Sequence, residues 1–299
     1  MVPVKKSFGS FYALAAGTLW GSMGVFVRHF QAIGLNALEI GWFRVLFGLL
    51  VVGLYLALRH RELLKIRFRD VPLFVGTGVG SLFLLNLTYY TSMRYVSLAV
   101  AGVLLYTAPI FVMLLSAILF REKITPKKLL ALGLAFLGCA MVSGLGGSNQ
   151  ISLPGVLWGL GAGLSYCMYS IIGRYILRRG YSSWTMTFYT FVFCMLADCL
   201  VCDWQAVGNI FLQPGELLWA AGLGVVTAFF PYVFYSKALE HMEGSRASIL
   251  ASIEPVVAAL FSVFLFHEPL GMAGVAGMVL VLAAIVLLSV SPARKHSLS

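Results

Sequence analysis

Charge is what this chain has least of. Only 11% of its 299 residues are Asp, Glu, Lys or Arg, against about a quarter in a soluble globular domain. Eleven acids and five histidines are too thinly spread to form a readable metal cluster, catalytic triad or His-Glu-x-x-His sequence. His29, His60, His241, His267 and His296 all lie near the ends of apolar runs. No metal, cofactor or catalytic residue is therefore expected. Cysteine is scarce as well, with five residues: Cys139, Cys167, Cys194, Cys199 and Cys202. Cys199-x-x-Cys202 has redox-motif spacing but no thioredoxin-like context, and buried small apolar side chains are the better reading. The glycine runs GTGVGS (76–81) and GAGLS (161–165) have no strand before them, so they read as helix packing surfaces rather than phosphate cradles.

What is present is apolar. Hydrophobic residues make up 60% of the chain and the mean hydropathy is +0.93. A helix needs about 20 mainly apolar residues to cross the hydrocarbon layer. Ten such segments are spaced along the sequence, at 8–30, 36–58, 71–94, 97–120, 127–146, 153–177, 183–204, 215–237, 245–267 and 270–290. The first is too long for a signal-peptide core and reads as a membrane helix. With the N-terminus inside, the cytoplasmic side receives Lys5, Lys6, the Arg59 to Arg69 loop, Arg121 to Lys128, Arg174 to Arg179, Lys237, Arg246, Arg294 and Lys295. Arg28 and Arg94 fall outside, and Arg44 lies within a span. The positive-inside rule then puts both termini in the cytoplasm. Basic loops against anionic headgroups account for the net charge of +10, and no nucleic-acid partner is needed.

A slide of 146 residues, without a gap, superposes Gly9 on Gly155, Gly17 on Gly163, Arg28 on Arg174, Tyr89 on Tyr235, Pro109 on Pro255 and Ser116 on Ser262. It also lays Leu119-Phe120-x-Glu122 on Leu265-Phe266-x-Glu268. Apolar matches arise by chance, but coincident Gly, Pro, Arg and Glu at one offset indicate a duplication. The halves are 8–146 and 153–291. Five helices per half is odd, so the second half is expected to cross the membrane in the opposite sense, as an inverted repeat of the kind secondary transporters use. The basic positions Arg121, Lys123, Lys127 and Lys128 fall on His267, Pro269, Ala273 and Gly274, which carry no Lys or Arg.

Candidate site residues follow from polar groups at membrane depth. Glu254 precedes Pro255 in the stretch ASIEPVVAALF, about 14 Å into a core about 30 Å thick. A carboxylate there is costly when ionised and is expected to face the bundle interior, either serving substrate, proton or gating, or resting on neighbouring hydroxyls beside a proline kink. Pro109 and Pro255 each leave one helix carbonyl without its donor, a place for a hinge. Arg44 either holds a substrate carboxylate or staples helices through carbonyls or Glu39. Trp20, Asn86, Tyr89, Tyr90, Tyr106, Tyr166, Tyr169, Tyr189, Tyr232 and Tyr235 are spread over the same depth and are candidates to line a cavity.

These residues resemble the EamA family of the drug/metabolite transporter superfamily over nearly the whole chain. The resemblance is carried by LWGSMGVFVR, WFRVLFGLL, APIFVMLLSAILFREKIT and above all ASIEPVVAALFSVFLFHEPL. It implies a ten-helix exporter or exchanger of small amphipathic metabolites such as amino acids, with a central cavity between two repeats. The matching positions are Arg44, Pro109, Glu254 and Pro255. Ala108 stands where the second repeat has Glu254, which speaks against two equivalent ion sites. The expected partners are the bilayer and a small-molecule substrate; the residues admit proton coupling without requiring it, and do not address oligomeric state. A carrier is favoured over a passive channel or an intramembrane enzyme, because no catalytic pair occurs at one depth.

Overall fold

A computed structural model describes residues 7–144 and 152–289, which are helical and contain no strand. Lys5, Lys6, Arg294 and Lys295, and the ends of the 127–146 and 270–290 segments and of both halves, lie outside the described residues. The first rod is two helices, α1 (Ser7–Gly21) and α2 (Met23–Ala32). It is followed by α3 (Ala37–Arg59), then α4 (Val71–Thr77) and α5 (Leu84–Ser92), which are joined by a π-helical segment, Gly78–Phe83. The half closes with α6 (Leu98–Leu105), α7 (Ala108–Phe120) and α8 (Pro126–Val142). The second half begins with α9 (Leu153–Arg178), α10 (Ser183–Asp198) and the short α11 (Trp204–Phe211). Next come α12 (Pro214–Gly224) and α13 (Phe230–His241) around the π segment Val225–Phe229, then α14 (Gly244–Ala251), α15 (Glu254–Phe266) and α16 (Met272–Ser289).

Local chemistry starts these helices. Asn36 and Glu39 form a reciprocal capping box on α3, while Thr125, Ser152, Ser182 and Asp203 accept bonds from the first-turn amides of α8, α9, α10 and α11. Among the described residues, eight helical segments are long and apolar enough to cross a membrane: Phe8–Ala32, Ala37–Arg59, Phe68–Ser92, Val100–Phe120, Leu153–Arg178, Pro214–His241, Gly244–Phe266 and Met272–Ser289. The remaining two long helices, α8 and α10, have 17 and 16 residues. Leu50, Leu54 and Leu58, one turn apart on α3, are 54%, 62% and 68% exposed, an apolar stripe that suits lipid and not water.

The structure repeats as the sequence does. Shifted by 146, the limits of α6 and α7 fall on those of α14 and α15 residue for residue, and the left-handed helix ends at Arg121 (φ 55°) and His267 (φ 53°) coincide. The π segments overlap at the same shift. Where a proline kink was expected, the helix instead ends and restarts. The chain leaves α6 at Tyr106 and Thr107 and leaves α14 at Ser252 and Ile253, so Pro109 and Pro255 sit in the first turn of a new helix. There the missing N–H costs nothing and the fixed φ helps.

Each break is packed against the first rod of the other half. A Cβ on Gly17 would stand 2.4 Å from the Ala251 carbonyl oxygen, and one on Gly163 would stand 2.5 Å from Thr107 Oγ1 and 3.0 Å from the Leu104 oxygen. Glycine is what allows this approach.

Candidate functional site

Both helix breaks border one small cavity of about 20 Å³, room for about one water molecule. Leu105, Tyr106, Ala108 and Pro109 line it from the first half, and Tyr166, Ser248, Ala251, Ser252 and Glu254 from the second. The amino ends of α7 and α15 meet there, where unsatisfied amides favour negative charge. Glu254 occupies the first turn of α15, whereas Ala108 leaves α7 without an acid. Among the described residues no donor reaches the Glu254 carboxylate. The two serine hydroxyls at the cavity are spent elsewhere, Ser248 on the Ser245 carbonyl at 3.1 Å and Ser252 on the Ser248 carbonyl at 3.3 Å.

An aromatic box adjoins the cavity. The ring centroids of Tyr166, Tyr232 and Tyr235 lie 6.0, 5.4 and 5.5 Å from that of Trp20, and Tyr169 packs 5.2 Å from Tyr232. Edge-to-face geometry dominates, as quadrupoles prefer. Two Tyr-Ser doublets cross-bond between α9 and α13: Tyr169 with Ser236 at 2.8 Å, and Ser170 with Tyr235 at 2.9 Å. Sequence reading missed the serines, although the doublet occurs at both places.

Arg44 lies behind Tyr232. Its Nη1 donates to Met23 Sδ at 3.0 Å and its Nη2 to the Tyr232 hydroxyl at 3.4 Å, while its buried Nε has no partner. Glu39 is not the staple considered from sequence, because both its oxygens accept from Asn36 at 2.7 Å. Asp198, buried and 3.4 Å from Cys194 Sγ, lies within Coulombic range of Arg44, as does Glu254, and neither carboxylate pairs with it directly.

The other candidates lie further off. Tyr89 packs against Val96, Val100 and Ala101, close to Gly102. Asn86 faces Gly41 with its Nδ2 unpartnered. Tyr90 carries Arg94 over its ring at 5.3 Å. Tyr189 donates to the Leu64 carbonyl at 2.6 Å, pinning the basic loop far from the box.

A broken helix from each half meeting at one central cavity is a feature that comparison with known proteins can place. Residues 7–144 and 153–290 both match the EamA-like transporter family. The chain belongs to that family. It is a multi-pass integral membrane protein built from two EamA repeats. An uncharacterized transporter of Archaeoglobus fulgidus is 31% identical over 284 residues, covering 94% of this chain and 96% of the relative. The pseudopaline exporter CntI of Pseudomonas aeruginosa is 27% identical, covering 94% and 95%. A crystal structure 17% identical in sequence superposes with a TM-score of 0.76 over 94% of this EamA chain and 96% of its own, and so shares the fold.

Proposed function

We propose that this EamA protein is a secondary transporter that exports or exchanges a small amphipathic metabolite, an amino acid or related compound, across the cytoplasmic membrane by alternating access. In this reading α8 and α10 cross the membrane with the eight longer rods. The halves 8–146 and 153–291 form an inverted repeat with both termini in the cytoplasm. The single observation that carries the reading is the cavity itself: two discontinuous helices, one per repeat, meet at it. Tyr106, Tyr166 and the adjoining Trp20 suit an apolar moiety, while Glu254 offers a carboxylate at the cavity and Arg44 lies behind Tyr232. The pseudopaline exporter among the relatives supports export as the direction. A lone intramembrane Arg offers too little positive charge for multiply phosphorylated solutes.

Purified protein in proteoliposomes, offered a panel of amino acids and their derivatives, tests it. The expected result is saturable flux with counterflow for a small amphipathic member of the panel. Flux without saturation or counterflow indicates a channel, and chemical conversion of a panel member indicates an enzyme.

A further inference from the structure

We infer that two ion-pair latches at opposite ends of the molecule decide which face of the cavity opens: Arg28 with Glu268, and Arg174 with Glu122. The inference rests on the alternating-access reading. Arg28 donates to both oxygens of Glu268, at 2.7 and 3.0 Å, lies 4.2 Å over the Phe266 ring, and shares Glu268 with the Ser262 hydroxyl. Shifted by 146, the same residue types recur. Arg174 Nη1 lies against Glu122 as an ion pair without a hydrogen bond, the guanidinium lies 4.9 Å over the Phe120 ring, and Ser116, in the place of Ser262, leaves its hydroxyl unpartnered. Each pair joins an arginine near the end of the first rod of one repeat to a glutamate just beyond the broken helix of the other, so each bridges parts that must separate if a path to the cavity is to open.

The pairs lie at opposite ends. Gly9, at the start of α1, packs against His241 and Met242, beside the Gly244 amide that Glu122 accepts at 3.2 Å. Arg28 is a further 19 residues, about 28 Å, along the same rod.

The latches differ in strength. Arg28 and Glu268 are 45% and 47% exposed, whereas Arg174 and Glu122 are 15% and 5% exposed. Glu122 also accepts from the Ser245 hydroxyl and has Lys128 Nζ at 3.8 Å, so it ties the start of α14 to α9 as well. The position that matches Lys128 holds Gly274, which offers Glu268 no side-chain donor. An exposed pair adds little stability, and a buried network resists the loss of any one member. The cavity therefore opens more readily past Arg28 and Glu268.

A reporter cysteine, Ser252→Cys, in the full chain, treated with a membrane-impermeant maleimide in vesicles of each orientation, reads the state of both faces against the chain without the reporter. Arg28→Glu is expected to raise labelling up to about fivefold from the Arg28 face alone, and the exchange Arg28→Glu with Glu268→Arg to restore it. Glu122→Gln is expected to raise labelling more than about tenfold from the opposite face. Arg174→Gln is the second variant there should Glu122→Gln fail to fold. Reporter protein with intact latches labelled freely from both faces at once overturns alternating access. A reporter shielded from one face whose labelling is unmoved by Arg28→Glu, unrestored by the charge exchange, or raised on the wrong face by the inner variants overturns the latches alone.

Discussion

Glu254 opens the second half of the second repeat's broken helix and Glu268 lies just beyond its end, and their surroundings assign them different tasks. Glu254 is the one carboxylate lining the cavity and receives no hydrogen bond, with Arg44 as its cationic neighbour. A carboxylate so placed can exchange a proton or a ligand cation as its surroundings change. Glu254→Gln keeps the shape and removes the titration, so transport is expected to fall about tenfold, the equivalent of ~1.4 kcal/mol on the cycle, and to lose its dependence on pH between about 5 and 8. Glu268 is held by Arg28 and then by Ser262, which lower its pKa from 4.5 to about 2. A folded-state value below the unfolded one means that its latch is fully present above the unfolded value and lost as pH falls through about 2. Glu268→Gln should thus change the rate while leaving the shape of the profile from pH 5 to 8 intact, as initial-rate measurements across that range would show. Flattening in both variants, or in neither, contradicts this division. The sequence disclosed Glu254 through its depth and its proline. It did not disclose that Glu39 is occupied at a helix cap, which leaves Arg44 to a thioether and a phenol.

The broken helices depend on close backbone contact as well as on side-chain packing. Pro109 and Pro255 announced a disturbance, but not its form, because proline at the first turn of a helix and proline inside one look alike in a single sequence. The π segments were hidden for a related reason: an extra residue in a helix turn leaves the apolar pattern nearly unchanged. Gly17 shows what the breaks require. The Cβ of Gly17→Ala would collide with the Ala251 carbonyl and with Ile253 Cγ2 at 2.6 Å, neither of which can yield without moving the break. Overpacking of this kind costs about 1–3 kcal/mol. On the same rod, Gly24 has nothing within 4 Å of its would-be Cβ, and Gly24→Ala gains up to about 1 kcal/mol of helix propensity. Thermal unfolding in one detergent should therefore place Gly17→Ala below the parent and Gly24→Ala at or above it. The reverse order would mean that the rod does not bear on the break.

At the scale of the whole molecule, the duplication was legible because Gly, Pro, Arg and Glu recur at one offset, and the fold repeats its helix limits at the same offset. The pairing of the halves was not legible. Arg28, Arg174, Glu122 and Glu268 are all visible as aligned residues, yet only the fold sets each arginine against the glutamate of the opposite repeat. Inversion has a direct test in the loops that follow the two broken helices. Lys123 and Gly271 are both exposed, and Gly271 has room for a side chain. Lys123→Cys and Gly271→Cys should react with impermeant maleimide from opposite faces, Lys123 from the cytoplasm; reaction from the same face would contradict both the inversion and the orientation. Elsewhere the repeats touch backbone to backbone. A Cβ on Gly138 of α8 would stand 2.6 Å from the Gly277 oxygen of α16, and one on Gly277 would stand 2.6 Å from the Gly138 oxygen. Two backbones pressed together in this way have no rotamers to exchange and no surface on which to slide. Under the alternating-access proposal the crossing would serve as an axle, through which a movement that parts one end of the molecule levers the other end shut.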